Sequence, residues 1–163
     1  MPRTYLDAMS VAEDARRRRE RFRRRRPGVV EPVAERAGEV VGRVAVGPAR
    51  DADLALEGGG LTGSRLPMGE LPALCVEPGP IGTGAGRALL AGGLDGARAG
   101  GFGAPCLWGV RGHLRARRFH ERAGFAPDGA EEAYAVAGRS VPELRYQRPA
   151  PPARAPGTPR LSP

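Results

Sequence analysis

The alternation of hydrophobic and polar residues predicts one helix and two strands in the first third of the chain. A capping box, S-x-x-E, begins at Ser10 and predicts a helix that starts near Val11. The apolar stripe of this helix is thin, because Arg18 interrupts it. Two β-rich runs follow at residues 29–34 and 40–46, and the short glycine-containing connection between them predicts an antiparallel hairpin.

The strongest pattern lies in the middle of the chain. Residues 69–76 predict a strand, residues 84–99 a helix with one apolar face, and residues 106–110 a second strand. A strand, a crossover helix and a strand in this order predict a right-handed unit with parallel strands. The pattern then predicts a second helix at about 114–123 and two final strands at 134–137 and 141–147.

Glycine and proline divide the chain into three parts. Residues 1–27 form an Arg-rich helical segment, and residues 28–148 form the folded domain, which is continuous with that helix. Residues 149–163 form a proline-rich tail that is predicted to be disordered. Inside the domain, residues 48–68 lack both periodicity and bulk, so they are predicted to form a flexible loop.

The chain is strongly basic, with a net charge of +8 and a pI near 11.0. Every fixed positive side chain is arginine, which is typical of a GC-rich genome and weakens the usual inference of a nucleic-acid partner. Nine arginines fall between residues 16 and 26. This run could be a phosphate-binding arm. Without an interleaved aromatic pattern for base stacking, a solvated helix face is favoured, and nucleic acid is not expected as a partner.

The sequence carries no signal peptide and no apolar stretch of spanning length. Its two cysteines, Cys75 and Cys106, lie in separate apolar runs and suit a reducing compartment better than a disulfide framework. We therefore expect a soluble, cytoplasmic protein that does not associate with membranes. Its oligomeric state is not encoded in any pattern that we recognise.

A glycine-rich loop between the first central strand and its helix carries the clearest chemistry. Gly82, Gly84 and Gly86 alternate, so the backbone can turn tightly and approach a ligand closely. The first amides of the helix that follows have no intrahelical partners and carry the positive end of the helix dipole. Such a site suits phosphate or pyrophosphate.

Two common phosphate loops do not fit this sequence. A P-loop needs a lysine after its last glycine, and the chain contains none. A dinucleotide-binding loop begins directly after its strand, whereas residues 77–81 intervene here, and Leu89 stands where the third glycine belongs.

The loop instead resembles that of the GNAT superfamily of N-acetyltransferases, whose pattern is V-x-P followed by (R/Q)-x-x-G-x-(G/A) and a helix. Val76 to Pro78 and residues 84–90 match it, while Ile81 stands where the family prefers Arg or Gln. Residues 107–129 resemble a second family segment, N-x-x-A-x-x-F-Y-E-x-x-G-F. The matching residues are Ala116, Phe119, Glu121, Gly124 and Phe125.

The resemblance implies an α+β fold in which helices flank a mixed, mostly antiparallel sheet, with two parallel strands that splay to admit acetyl-CoA. It implies transfer of the acetyl group to the amine of a small molecule or peptide. Backbone groups of Leu74 and Val76 would bind pantetheine, and Glu70 is the candidate base. The pyrophosphate would lie on the loop and the first turn of the helix, at Ile81, Gly82, Thr83, Gly84, Ala85, Gly86 and Arg87.

Two histidines replace family residues at informative positions. His113 stands at the asparagine position near the cofactor, and His120 stands where the family has the tyrosine that protonates the departing thiolate. Their spacing of seven places both on one helix face. No metal is expected, because zinc-binding helices favour i, i+4 spacing. Because of its position in the motif, His120 is the candidate acid, in a site that is either weakly active or no longer active.

Two functions remain open at this stage. One is an N-acetyltransferase for an unidentified amine, and the other is a catalytically weak or inactive protein of the same fold that binds acyl-CoA or an acidic partner. Family members usually begin with a strand and a helix ahead of the segment that here starts the chain. We therefore expect the sheet to lack that first strand, as in an N-terminally truncated gene model or a degenerate enzyme.

Overall fold

The computed structural model describes residues 7–24, 28–55, 66–103 and 105–148. They contain one six-stranded sheet with the order β1-β2-β3-β4-β6-β5. The pair β3 and β4 is parallel, and every other neighbouring pair is antiparallel. The predicted mixed, mostly antiparallel sheet is thus confirmed. The strands are β1 (Val33–Arg36), β2 (Glu39–Pro48), β3 (Gly69–Val76), β4 (Cys106–Val110), β5 (Ala126–Val136) and β6 (Arg139–Gln147).

Four helices accompany the sheet in the described part of the chain: α1 (Val11–Arg23), α2 (Ala52–Ala55), α3 (Ala85–Ala99) and α4 (Leu114–Arg122). The side chain of Ser10 accepts a hydrogen bond from the backbone N–H of Glu13 at 3.3 Å, as the capping box predicts. Helix α1 buries none of its side chains. None of these helices has the length and apolar content that a membrane span requires.

Helices α3 and α4 cover one face of the sheet, which we call the helix face. Leu89 and Leu90 of α3 pack there with Val44 of β2 and Leu107 of β4, and the fully buried ring of Tyr146 from β6 joins the same core. Because strand side chains alternate between faces, the neighbours of these core residues point to the other side. That second face carries Glu70, Cys106, Trp108, Glu143, Arg145 and Gln147, and we call it the polar face.

The structure differs from the predicted elements mainly at their ends. The first strand begins at Val33 rather than residue 29, since Pro32 lacks an N–H to donate to a ladder, and Val30 forms only an isolated bridge with Val46. Strand β5 begins at Ala126, eight residues before the predicted start. Helix α2 lies inside the segment predicted to be a flexible loop. Residues 1–6 and the predicted disordered tail, 149–163, lie outside the described residues.

Strand β1 is the edge of the sheet and pairs with β2 alone among the described strands. An edge with unpaired backbone groups at this position is the arrangement expected from the sequence. The register between these strands shifts after Ala34, so the edge carries an irregularity. Irregular, short edge strands are poor templates for pairing with another chain.

Candidate active site

The parallel strands β3 and β4 meet at one end and part towards the other. A single register pair, Glu70 with Cys106, joins them in the described structure. Beyond that point β3 continues to pair with β2 as far as Val76, and β4 pairs with β6 along its whole length. A gap therefore opens between the carboxyl ends of the two strands, and Leu74 and Val76 border it.

Strand β3 carries a bulge where the gap begins. Ala45 lies opposite Ala73 and Gly47 lies opposite Glu70, so Val46 alone faces both Leu71 and Pro72. Proline suits such a position because it has no N–H to contribute to the ladder. A bulge bends its strand and increases the local twist. The bulge thus turns the second half of β3 away from β4 and helps to open the gap.

The glycine-rich loop follows directly at the open end of β3. Gly82 has φ of 94° and Gly84 has φ of 99°, conformations that residues with a Cβ rarely adopt. The hydroxyl of Thr83 donates to the carbonyl oxygen of Pro80 at 2.7 Å and fixes the turn between the glycines. A Cβ built on Gly82 or Gly84 would meet no protein atom within 4 Å. The surface of the loop is therefore open to a ligand.

Helix α3 begins on this loop with its first amides free. Gly84 is the N-cap and supplies no side-chain hydrogen bond. The N–H groups of Ala85, Gly86 and Arg87 precede the first intrahelical bond, which runs from Ala88 to Gly84. No acidic side chain occupies the first turn, and Arg87 is exposed beside it. Free amides and the positive end of a helix dipole therefore lie together at the mouth of the gap, an arrangement that suits an anion.

Gly86, in the first turn of α3, packs against the segment 107–129 that carries the second family motif. A Cβ at Gly86 would lie 3.4 Å from the ring of Phe119 on α4 and 3.8 Å from the side chain of Val76. The start of α3 therefore packs closely against α4 beside the gap. The two resemblance motifs, which are distant in sequence, meet at one place in the fold.

Helix α4 brings both histidines to this region. His113 is its exposed N-cap residue, and His120 is half-buried near its end. The His120 ring lies 5.2 Å from Phe119, 6.1 Å from Phe125 and 6.4 Å from Tyr146, between ring centroids. Burial, and to a lesser degree the charge of His113, lower the pKa of His120. Its buried Nδ1 has no hydrogen-bond partner among the described residues.

The carboxylate of Glu70 is committed to an ion pair. Its side chain is 2% exposed, and Arg50 contacts it through Nη2 to Oε1 at 2.6 Å and Nε to Oε2 at 2.9 Å. The backbone N–H of Arg50 donates to Oε2 at 3.2 Å as well. The guanidinium thus occupies both oxygens of this buried carboxylate, which leaves little room for a substrate amine to reach them. The predicted base thus lies at the start of the gap, but it already has a structural partner.

A second carboxylate on the polar face, that of Glu143, is a candidate proton acceptor. Glu143 of β6 is half-buried and lies opposite Glu132 of β5 on one side and Val110 of β4 on the other. Burial, followed by the charge of Glu132, raises its pKa, while Arg50 lowers it. A carboxyl group with a raised pKa is the better proton acceptor near neutral pH.

A buried arginine network on the polar face was not visible in the sequence. Arg145 is 7% exposed and binds three aspartates: Asp51 at 3.1 Å, Asp53 at 2.8 Å and Asp128 at 2.6 Å. The indole N–H of Trp108 donates to Asp51 at 3.0 Å. The hydrogen bonds that Arg145 donates, to Asp53 first and then to Asp128 and Asp51, raise its pKa above the normal value. This network holds residues 51–53 against the sheet, next to Arg50 and Glu70.

Cys106 lies under the same segment. It is fully buried with Leu54 and Met68, and burial raises the pKa of its thiol to about 12. A thiol in that state is a small apolar side chain rather than a nucleophile. Among the described residues, no three His, Cys, Asp or Glu side chains are placed to hold a metal ion.

Several solved structures resemble this fold over most of its length. A ribosomal-protein-alanine N-acetyltransferase from Brucella melitensis is 26% identical, with 86% of this chain and 78% of that chain covered and a TM-score of 0.62. A putative acetyltransferase from Salmonella typhimurium, solved with its cofactor acetyl-CoA, is 22% identical, with coverages of 91% and 78% and a TM-score of 0.62.

A third similar structure is a putative streptothricin acetyltransferase from Bacillus anthracis in complex with acetyl coenzyme A. It is 14% identical, with 75% of this chain and 62% of that chain covered and a TM-score of 0.58. No curated protein matches the chain significantly.

The family model described as acetyltransferase (GNAT) family matches residues 2–125, from the first helix through α4 to Phe125. This match covers more than half of the chain and includes both sequence motifs. The chain therefore belongs to the GNAT acetyltransferase family.

Proposed function

We propose that the protein transfers an acetyl group from acetyl-CoA to an amine. The observation that carries the proposal is the anion site of Gly82 to Arg87 at the open end of the gap between β3 and β4. An acyl-CoA presents a pyrophosphate to such a site and an extended pantetheine arm to the strand edge beside it. Family membership and the acetyl-CoA found in two similar structures support the same cosubstrate.

The residues present fit this ligand at both ends. Free amides and the helix dipole at Gly84 to Arg87 would hold the pyrophosphate, and exposed Arg87 adds a charge. The backbone of Leu74 and Val76 faces the gap without a partner strand on that side, so its polar groups would bind the amides of pantetheine as a strand would.

The chemistry requires a proton acceptor for the amine and a stabilised oxyanion. The amine nitrogen attacks the thioester carbonyl, a tetrahedral intermediate forms, and the carbon–sulfur bond then breaks to release CoA. A backbone N–H at the β3 bulge would stabilise the oxyanion. Because Arg50 holds Glu70, we assign the proton acceptor to Glu143, whose pKa is raised, and give Glu70 a positioning role.

His120 would supply a proton to the departing thiolate. It occupies the tyrosine position of the family motif, and its ring neighbours Phe119, which packs against Gly86 at the start of α3. Only the protonated imidazole can give up a proton under these conditions, and a lowered pKa makes that form scarce at neutral pH. We therefore expect a slow enzyme whose leaving-group step improves as the pH falls.

Two of the similar structures have names that give an acceptor, a ribosomal-protein alanine in one and streptothricin in the other. Release of free CoA thiol should be measured with acetyl-CoA and a panel of both classes, namely short alanine-initiated peptides and small polyamine antibiotics. Turnover with at least one class supports the proposal. Tight acetyl-CoA binding with no turnover on any acceptor would instead favour the non-catalytic binding protein.

The roles of Glu70 and Arg50 can be separated by two substitutions. The Glu70 side chain is 2% exposed and the Arg50 side chain 70% exposed. Arg50→Met leaves a buried carboxylate with no opposite charge and only the backbone N–H of residue 50 as a donor, so it should lower the free energy of unfolding by about 3 kcal/mol. Glu70→Gln leaves an arginine that water can solvate, and should cost only about 1 kcal/mol. Denaturant unfolding of both variants measures this asymmetry.

Glu70→Gln and a third variant, Glu143→Gln, identify the residue that accepts the proton of the amine. Glu143→Gln should lower kcat by roughly 10² or more with little effect on the KM for acetyl-CoA. Glu70→Gln should retain most of the turnover of the wild type. A large loss of kcat in Glu70→Gln, together with near-normal turnover in Glu143→Gln, would return the base assignment to Glu70.

A further inference from the structure

The first helix presents an unusually dense positive surface. Helix α1 is about 20 Å long and buries none of its side chains. Arginines lie on all of its sides rather than on one stripe. Those in the helix and at its C-cap are Arg16, Arg17, Arg18, Arg19, Arg21, Arg23 and Arg24. The family fold does not need such a surface to position the gap, the loop or α4.

Part of this charge has no ion-pair partner among the residues that the structure describes. Glu13 and Asp14, in the first turn, lie within 4 Å of the guanidinium groups of Arg16, Arg17 and Arg18. The side chains of Arg19, Arg21, Arg23 and Arg24 form no ion pair with any described residue. Four like charges within two turns repel one another, and an anionic partner would relieve that repulsion.

A groove between α1 and β2 extends the same surface. Its volume is about 540 Å³, and its walls carry six arginines against two carboxylates, Asp14 and Glu31. One of these arginines is Arg43 of β2, which approaches Glu31 at 3.7 Å. The Nε of Arg43 has no hydrogen-bond partner among the described residues. The positive surface is therefore a concave site as well as a helix face.

We propose that α1 and this groove bind the phosphate backbone of RNA. Guanidinium groups pair with phosphates through two hydrogen bonds, and a row of them along 20 Å or so follows a polyanion. The sequence alone favoured a solvated helix face over a phosphate-binding arm. The groove and the arginines without an ion pair favour the phosphate-binding arm. A membrane surface fits less well, because the helix has no continuous apolar face to insert. Binding would be largely independent of base sequence.

The test uses the full-length protein and a short fluorescein-labelled single-stranded RNA of mixed sequence, followed by fluorescence anisotropy. The variant Arg19→Gln, Arg21→Gln, Arg23→Gln removes three unpaired charges with little change in helix propensity. The matched control is Arg36→Gln, Arg98→Gln, Arg139→Gln, which removes three exposed arginines elsewhere. Circular dichroism verifies that both variants fold.

We expect the α1 variant to bind the RNA at least roughly tenfold more weakly at low salt, and the control to bind like the wild type. Each lost phosphate contact removes about 0.7 from the slope of log affinity against log salt, so the slope should flatten by about 2. Equal weakening in both variants, or a wild-type affinity that salt does not change, would refute the proposal. Tighter binding to polyglutamate or to phosphatidylserine vesicles than to RNA would also refute it.

Discussion

Replacing Gly84 by valine is expected to weaken acetyl-CoA binding by roughly a hundredfold or more, while the protein remains folded. Gly84 has φ of 99°, a conformation that costs a β-branched residue about 1–2 kcal/mol, so the loop would move away from its anion-binding shape. The valine side chain would also stand on the surface where the pyrophosphate approaches the backbone. A Cβ there meets no protein atom within 4 Å, so the core is not disturbed.

Isothermal titration calorimetry with acetyl-CoA measures this effect, and circular dichroism verifies the fold. Gly79→Val is the matched control, because Gly79 lies in the same loop region, has no positive φ, and has open space around its Cβ. The control should bind acetyl-CoA with nearly the wild-type affinity. An unchanged affinity in the Gly84 variant would remove the loop from the binding site.

His120→Phe should lower kcat by roughly 10² or more with little change in acetyl-CoA affinity, whereas His120→Tyr should retain or raise turnover. His120 already lies among aromatic rings, and circular dichroism verifies that both variants fold. A tyrosine, with a reference pKa of about 10, keeps its proton at neutral pH, while an imidazole whose pKa is lowered by burial loses it. Steady-state kinetics of the three proteins measure the contrast.

The pH dependence of turnover tests the role of His120 independently. Above its lowered pKa, the protonated fraction of His120 falls about tenfold for each pH unit. The leaving-group step of the wild type should therefore slow as the pH rises from about 6 to 8, and His120→Tyr should show no such decline. Equal turnover in the wild type and the Phe variant across this range would refute the role of His120 as the acid.

The central elements could be predicted from the sequence because their signals are local. The strand Gly69–Val76 is found where its apolar run predicts it, and the start of α3 differs from the prediction by one residue. Ser10 and the glycines of the loop each encode their own backbone geometry through capping and φ preference. The contact between the two motifs at Gly86 and Phe119 was not predicted, because it joins residues that are distant in sequence.

The polar face could not be predicted, because its order depends on partners that are far apart in sequence. Arg145 binds Asp51 and Asp53, which lie more than ninety residues earlier in a segment without hydrophobic periodicity. That segment was predicted to be a loop, and the contacts that hold α2 on the sheet leave no local pattern. Glu70 was the candidate base because of the family resemblance, and its ion pair with Arg50 could not be predicted because Arg50 lies twenty residues away in the sequence.

The most direct test of the acetyl-CoA site is a titration followed by ¹H–¹⁵N nuclear magnetic resonance of the wild-type protein. Addition of acetyl-CoA should shift the backbone amides of Gly82, Gly84, Ala85, Gly86 and Arg87, together with those of Leu74 and Val76 along the gap. Amides on α1 should not move. Saturable shifts that leave the loop and β3 unchanged, or no shift at millimolar acetyl-CoA, would contradict the assignment of this gap as the acetyl-CoA site.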